Sequence, residues 1–575
     1  MTSDISAPPI TTPEATEDRE VPLRAPGDVM TLAALGSAHQ TRLSFMRVLL
    51  RTLRREGWRF DRPLWDIDEN GVGRALYRAR GPRRTYTLVA FAHDLPADQR
   101  SDRVIAEAWD ATFALFDGEP TDSDLQRLSA NVPLQEAGRI QDSELTLSRA
   151  NRSVRLWAHV VDRLAAGAQP DADEVEAVGY LMRTTAGYGA GKFGAADRAA
   201  VCERPLMGGP FRLEMLTVWL IRAFTLDLVE HMARAKGGAG AATLAPALRR
   251  RFGVGNSTGH GMAPILVTHP ALLHAFLAAR ERAIARVRSL PHAAEGAKAT
   301  LTTLISRAAL NAQRWRSDHP LQREKIAALR ADLSRLAGHV ASGALNAAYP
   351  FDALMKWASK NLSPEGREQT AALILEHHGE LVDALADEMG ADEDALFRID
   401  GAETIGAFKA AFTDTYAWAF QTNYTEADRC ARFWYVSEEK LEPRLGERHT
   451  EPGAAYELPL DTGRAARALA EALEGWDEGE ALAAFLMAHP EHRHTVRRAQ
   501  IAADHPYGEI RDNLISATML PIDMLRCKLA FFGAQRFDPR SDRWVRICMY
   551  QNAPFPHELA ASPEDDWAYP QLGNA

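Results

Sequence analysis

The sequence predicts a mainly α fold, a multi-helix globular protein with a small N-terminal antiparallel β-meander and one C-terminal strand. Three observations carry this prediction. Apolar residues recur at helical spacing over most of the chain beyond residue 100. Alternating or continuous strand-like apolar runs are confined to residues 63–91 and to a segment near residue 547. Asn70-Gly71 lies between two of those runs, a pair suited to the positive φ angles of a two-residue hairpin turn.

Taken in order, residues 2–20 are rich in Pro, Thr and acid and lack the basic start and apolar run of a signal peptide, so residues 1–28 read as a disordered tail. Residues 30–56 read as a helix, with Leu32, Leu35, Leu43, Met46, Leu49 and Leu50 as its apolar side. Residues 63–68, 72–78 and 85–91 form the meander, with Gly81-Pro82 at its second turn. Helices are expected at 101–116, 122–130, 140–166, 171–186, 210–236, 268–289, 293–317, 320–340, 366–388, 402–420, 462–474, 477–488 and 508–530. Residues 544–550 form the last strand. The expected organisation is a small α/β region over 29–118, a helical core over 119–345 and a C-terminal helical region over 346–575. Seams fall at 342–350 and 446–458, and no repeat of solenoid length occurs.

Composition narrows the function. The 575 residues carry 67 basic against 77 acidic side chains, a net charge of −10. That disfavours a broad nucleic-acid or anionic-membrane surface, since both need a cationic field. The most apolar helical stretch, residues 215–229, is interrupted by Arg222 and Asp227 and falls short of the roughly 20 residues a bilayer requires. The four cysteines, Cys202, Cys430, Cys527 and Cys548, form no CxxC pair, which suits a reducing cytoplasm. Only 9 of the 67 basic residues are Lys, and the first is Lys192.

Lys192 sits in the first of two glycine-rich segments, residues 183–198, among Gly187, Gly189, Gly191 and Gly194. Glycines at this density let backbone approach a ligand closely. A P-loop fails here, because Phe193 stands where the magnesium-binding hydroxyl belongs. Residues 189–194 do fit G-x-G-x-x-G, but a dinucleotide site needs a preceding strand, and Val175, Val178, Leu181 and Met182 have helical spacing. The second segment, residues 252–264, contains Gly253, Gly255, Gly259 and Gly261 together with Asn256, Ser257, Thr258 and His260. Exposed amides in such loops form anion-binding nests.

The candidate acid–base groups are Lys192, His260 and Tyr188, and the candidate substrate-binding groups are Arg183, Gly189, Gly191, Asn256, Ser257, Thr258 and Asn423. A Lys among amides and cations has a lowered pKa, and His titrates near neutrality. Together they suit proton abstraction, elimination or hydration beside a carboxylate. The expectation is a cytoplasmic lyase or isomerase acting on a small anionic substrate between the two segments, with no cofactor and no metal; the long apolar helices leave a homodimer open. The alternatives are a nucleotide- or flavin-dependent oxidoreductase, which a strand before Gly189 or Gly253 would favour, and a non-catalytic helical scaffold. Ser257 lies outside a G-x-S-x-G elbow, which disfavours hydrolysis.

Other groupings read as structural. Asn423, Tyr424 and Arg429 lie in an aromatic and polar run that suits a substrate wall or a core edge. His489, His492 and His494 lack the i, i+4 metal-binding pair, and Arg493, Arg497 and Arg498 oppose a cation. Glu144, Ser148 and Arg152 read as surface ion pairs on a helix, although Asn151 or Arg152 could reach a buried anion. Asp110 reads as structural, and Cys527, beside Arg526 and Lys528, lacks a placed His partner.

Overall fold

The structure, a computed structural model, describes residues 19–96, 98, 108–134, 141, 143–184, 212–256, 270–318, 320–389, 398–421, 423, 435–437, 440–442, 454–455, 461–508, 521–534, 536–538, 546–562 and 566–568; of Asn256 it describes the backbone alone. The fold is mixed α/β. Its centre is a nine-stranded sheet rather than a small meander. The strands are β1 (Arg59–Ile67), β2 (Gly73–Arg80), β3 (Thr85–Ala92), β4 (Ala111–Asp117), β5 (Glu144–Arg152), β6 (Tyr180–Thr184), β7 (Gly253–Asn256), β11 (Arg536–Asp538) and β12 (Arg546–Met549). Their order is β1-β2-β3-β4-β5-β6-β7-β12-β11. Every pairing is antiparallel except that of β6 with β7. Short strands β8 (Tyr435–Ser437), β9 (Lys440–Glu442) and β10 (Ala454–Ala455) make a separate sheet.

The meander forms as its pattern predicts. At its first turn the Asp68 carboxylate accepts from the amides of Asn70 and Val72, and Gly71 takes a φ of 78°. The last strand also forms, over Arg546–Met549. Three expected helices give way to strands. Residues 111–117 run apolar on both faces, so their period does not separate a doubly buried strand from a helix. In β5, Leu145 and Leu147 are two apart, a strand spacing that the longer helical window obscured. The expected helix 171–186 ends at Val178, because Gly179 caps it in the left-handed region (φ 79°), and β6 follows.

The expected helix at 30–56 is also broken. Only Phe45–Arg55 is a long helix, preceded by two single turns at Pro26–Val29 and Leu32–Leu35. Gly36 lies directly against the Arg526 backbone, where a Cβ would sit 2.3 Å from the Arg526 carbonyl carbon. Helix Pro350–Asn361, which was not expected, and helix Arg493–Asp504 complete the set relevant here.

The central helix, Arg212–Gly237, is buried around its whole girth, as expected of a helix apolar on all sides. Phe224 meets Phe113 and Tyr77 edge-on with centroids 5.4 and 6.3 Å apart, and the hydroxyls of Thr217 and Thr146 lie 2.8 Å apart. Each such buried side chain contributes roughly 1.5–3 kcal/mol. Arg222 and Asp227, the two charges that interrupt its apolar stretch, are satisfied. Arg222, fully buried, donates to the carbonyls of Phe252 (2.6 Å), Ala553 (2.8 Å) and Arg250 (3.0 Å). Asp227 accepts from Arg62 and Arg249 and from the Tyr77 hydroxyl. Among the described residues no helix is long and apolar enough to cross a membrane.

On the other face, Leu125 and Leu128 of helix Asp122–Asn131 cover Val89, Phe91, Ala114, Phe116 and Leu147. A helical layer, including Phe45–Arg55, Pro270–Arg288, Pro320–Ala341, Pro364–Glu376 and Pro521–Phe532, shares the main core with the sheet. Phe276 ties three of these helices together, stacked on Phe531 at 4.0 Å and edge-on to Phe45 at 5.7 Å. A second core gathers helices Ile405–Thr415, Ala417–Gln421, Asp461–Ala472, Leu482–Ala488 and Arg493–Asp504 around Phe408, Phe412, Leu469, Phe485 and Val496.

Candidate functional site

The parallel pair sets the geometry of the candidate site. Tyr180 lies across from Gly253, and Arg183 across from Gly255. β6 and β7 therefore run toward the same end of the sheet. The first glycine-rich segment follows β6 in the chain, and the second begins within β7 and continues past it. The carboxyl ends of these two parallel strands, to which the segments are joined in the chain, are thus neighbours. That is where ligands collect in open α/β sheets. Gly255 belongs there for a packing reason, since a Cβ on it would stand 2.7 Å from the Tyr180 ring.

Of the sequence-predicted groups, Arg183 is placed on β6 and is buried, and Asn256 closes β7. Tyr188, Gly189, Gly191, Lys192, Ser257, Thr258 and His260 lie outside the described residues. Asn423 is exposed just beyond helix Ala417–Gln421, whose Ala419 belongs to the second core. The strand before Gly189, absent from the expected helix 171–186, is present as β6.

The same end of the sheet carries polar groups that sequence reasoning did not join. Following the register across it, Ala92 pairs with Ala111, Ala111 with Ala150, and Ala150 with Thr184. His93 directly follows β3, Asp110 directly precedes β4, and Asn151 and Arg152 close β5, with Asn151 opposite Arg183. Asp110 is fully buried. Its Oδ2 accepts from the Arg152 amide at 2.9 Å, and its Oδ1 lies 3.7 Å from Arg152 Nε. The Asn151 Oδ1 accepts from the Asp110 amide, and the Asn151 Nδ2 donates to the Ala108 carbonyl. The Arg152 guanidinium lies over the Trp157 ring at 4.9 Å, and that of Arg149 over Trp109 at 4.1 Å. His93 Nε2 is 3.0 Å from the Thr112 hydroxyl. Burial pushes the His93 pKa below its ordinary value, against the opposing pull of Asp110, so the ring is neutral near pH 7.

This end of the sheet thus carries two buried guanidiniums, a carboxylate held against one of them and, two strands further along, a neutral imidazole. Asp110 supplies a carboxylate beside Arg152. The expected surface ion-pair row on a 140–166 helix is corrected. Glu144, Ser148 and Arg152 are all buried on a strand, and Glu144 takes Arg127 at 2.8 Å. Sequence reasoning noted Asn151 and Arg152 as anion ligands but placed them on a helix, and it missed His93 and Asp110. The available signal was positional, a polar residue at the very end of a strand-like apolar run.

Other groupings stay outside this site. Burial pushes the Cys527 thiol up to about 12, which keeps it protonated and inert. Tyr424 and Arg429 lie outside the described residues. Comparisons with protein-family models, curated proteins and solved structures return no match.

Proposed function

We propose that the protein is a cytoplasmic enzyme that binds a small carboxylate-bearing substrate at this end of the sheet and acts on it by acid–base chemistry of the lyase or isomerase type. The observation that carries the reading is the parallel β6–β7 pair, from whose neighbouring carboxyl ends both glycine-rich segments depart beside Arg183 and the Asp110–Arg152 pair. In this reading Arg183 and Arg152 attract the carboxylate, Asp110 holds Arg152 in place, and the backbone around Asn256, Ser257 and Thr258 orients the anion. Lys192 and His260, with Tyr188, move the proton.

A second reading has its own support. β6, the central helix and parallel β7 form a β–α–β unit, and G-x-G-x-x-G at 189–194 follows its first strand. A preceding strand is one part of the context a dinucleotide-binding oxidoreductase needs.

The two readings separate in one experiment. Small molecules retained by the purified full-length protein are identified by mass spectrometry, then tested for conversion by proton NMR. A retained carboxylate, bound about 10–100-fold more weakly by Arg183→Ala and left unconverted by Lys192→Ala and His260→Ala with unchanged thermal unfolding, is the expected outcome. A retained nucleotide or flavin transfers the assignment to the oxidoreductase. Wild-type-like binding and turnover in all three variants would remove the site from this end of the sheet.

A further inference from the structure

We propose that His489, Glu491 and His492 form a binding site for a divalent transition cation of the zinc type, placed where two helices of the second core meet. The residues sit on one corner of the chain. Helix Leu482–Ala488 ends at His489, Pro490–His492 makes a single 3₁₀ turn, and helix Arg493–Asp504 begins directly after it. That turn brings His489 Nδ1 to 3.2 Å from Glu491 Oε1, and His492 Nε2 to 3.9 Å from the same oxygen. One ligand atom from each of the three residues lies within 4.8 Å of the other two.

Those spacings fit coordination. Ligands bound at about 2.0–2.2 Å in tetrahedral geometry stand about 3.3–3.5 Å apart, so small side-chain rotations close the set. Two imidazoles and one carboxylate select zinc, nickel or copper over magnesium or calcium, which prefer all-oxygen shells. His489 and Glu491 are open to solvent on their outer side, so water completes the shell.

The rings are also held in position. Phe485 stacks against both imidazoles, with centroids 5.1 Å from His489 and 5.9 Å from His492. Trp476 meets Phe485 edge-on and approaches His489 at 6.1 Å. Packing of this kind fixes rotamers before the cation arrives and lowers the ordering penalty of binding. The ligand set differs from the one tested in the sequence. Glu491 replaces His494, because the chain turns through a 3₁₀ corner where a continuous helix would have required i, i+4 spacing. The objection from the neighbouring arginines weakens with the geometry. Arg493 is exposed, and Arg497 and Arg498 lie a turn or more further along the helix. Repulsion through water at such range is screened, whereas coordination acts at contact.

The bound cation would tie the end of one helix to the start of the next across Phe485. The test is calorimetric titration of the full-length protein with Zn²⁺ alone. One site per chain in the micromolar range is expected, weakened at least about tenfold by Glu491→Gln and by His492→Ala. His494→Ala is expected to bind as the wild type does. Circular dichroism checks that each variant is folded, and Co²⁺ supplies a readout independent of heat, a visible band present in the wild type and lost in a His489→Ala/His492→Ala variant. Absence of stoichiometric Zn²⁺ binding by the wild type, wild-type affinity in the folded Glu491 and His492 variants, or equal loss in His494→Ala would each overturn the proposal.

Discussion

Arginine does most of the buried electrostatic work in this protein. Arg24 reaches Glu281 at 2.7 Å and Glu368 at 2.6 Å, while Arg280 donates to the carbonyls of Ala34 and Leu35 and to Glu281. A planar fork meets two acceptors at once, which a point ammonium does not. The pair has a pH consequence. Burial pushes the Glu368 carboxyl up, but Arg24, with Arg280 and Arg367, outweighs it and holds the group below its ordinary value of 4.5. A carboxyl depressed in the folded state stabilises it above the unfolded pKa, and that stabilisation is lost as pH falls through the folded one. Stability from urea titrations should therefore lose this contribution only below about pH 4.5. Glu368→Gln should cost about 2–4 kcal/mol at pH 7 and flatten the acid limb, because it leaves Arg24 with one buried partner. An unchanged acid limb would contradict this. Residue identity alone exposed Arg183 as a candidate. His93 and Asp110 stayed hidden because their meaning depends on which strands are neighbours.

At the scale of elements, local chemistry was legible wherever it was self-contained. Helix Asp122–Asn131 was readable because its start is chemically marked. The Thr121 hydroxyl accepts from the Asp124 amide, and the Asp124 carboxylate accepts from the Thr121 amide, a reciprocal cap. Thr121→Ala should cost about 1 kcal/mol, measured as a shift of the urea midpoint at constant slope, and Thr121→Ser should restore most of it. Strand β4 was not legible, since burial on both faces erases the alternation that marks a strand, and the strand spacing of β5 was lost inside a longer helical window. Phe113 and Leu115 face the main core while Ala114 and Phe116 face helix Asp122–Asn131, so four successive positions are apolar. β6 has five residues and a Gly179 before it, a stop signal that a helical window overran. The two glycine-rich segments stood out by composition, but that they leave adjacent strands is a matter of pairing.

Among the described residues, the second core and the main core meet where helix Arg493–Asp504 reaches helix Pro270–Arg288 and where the Tyr507 amide, just beyond that helix, donates to His274. A body with its own apolar centre and few bridges should open as a separate cooperative unit. Leu469→Ala, which empties a fully buried position there, should cost that unit about 2–5 kcal/mol. Native-state hydrogen exchange should then show faster exchange in residues 405–421 and 461–504 with β2–β5 unaffected. Uniform acceleration across both regions would mean a single cooperative unit.

The pairing of β7 with β12 bears on how the chain is made. β7 occupies residues 253–256, yet its second neighbour comes from residues 546–549. During synthesis the sheet from β1 to β7 can assemble early, while the outer edge of β7 stays bare until almost three hundred further residues have been added. An unpaired edge is a template for wrong partners. The nascent protein is thus most exposed to misassembly at the strand that leads into its candidate site.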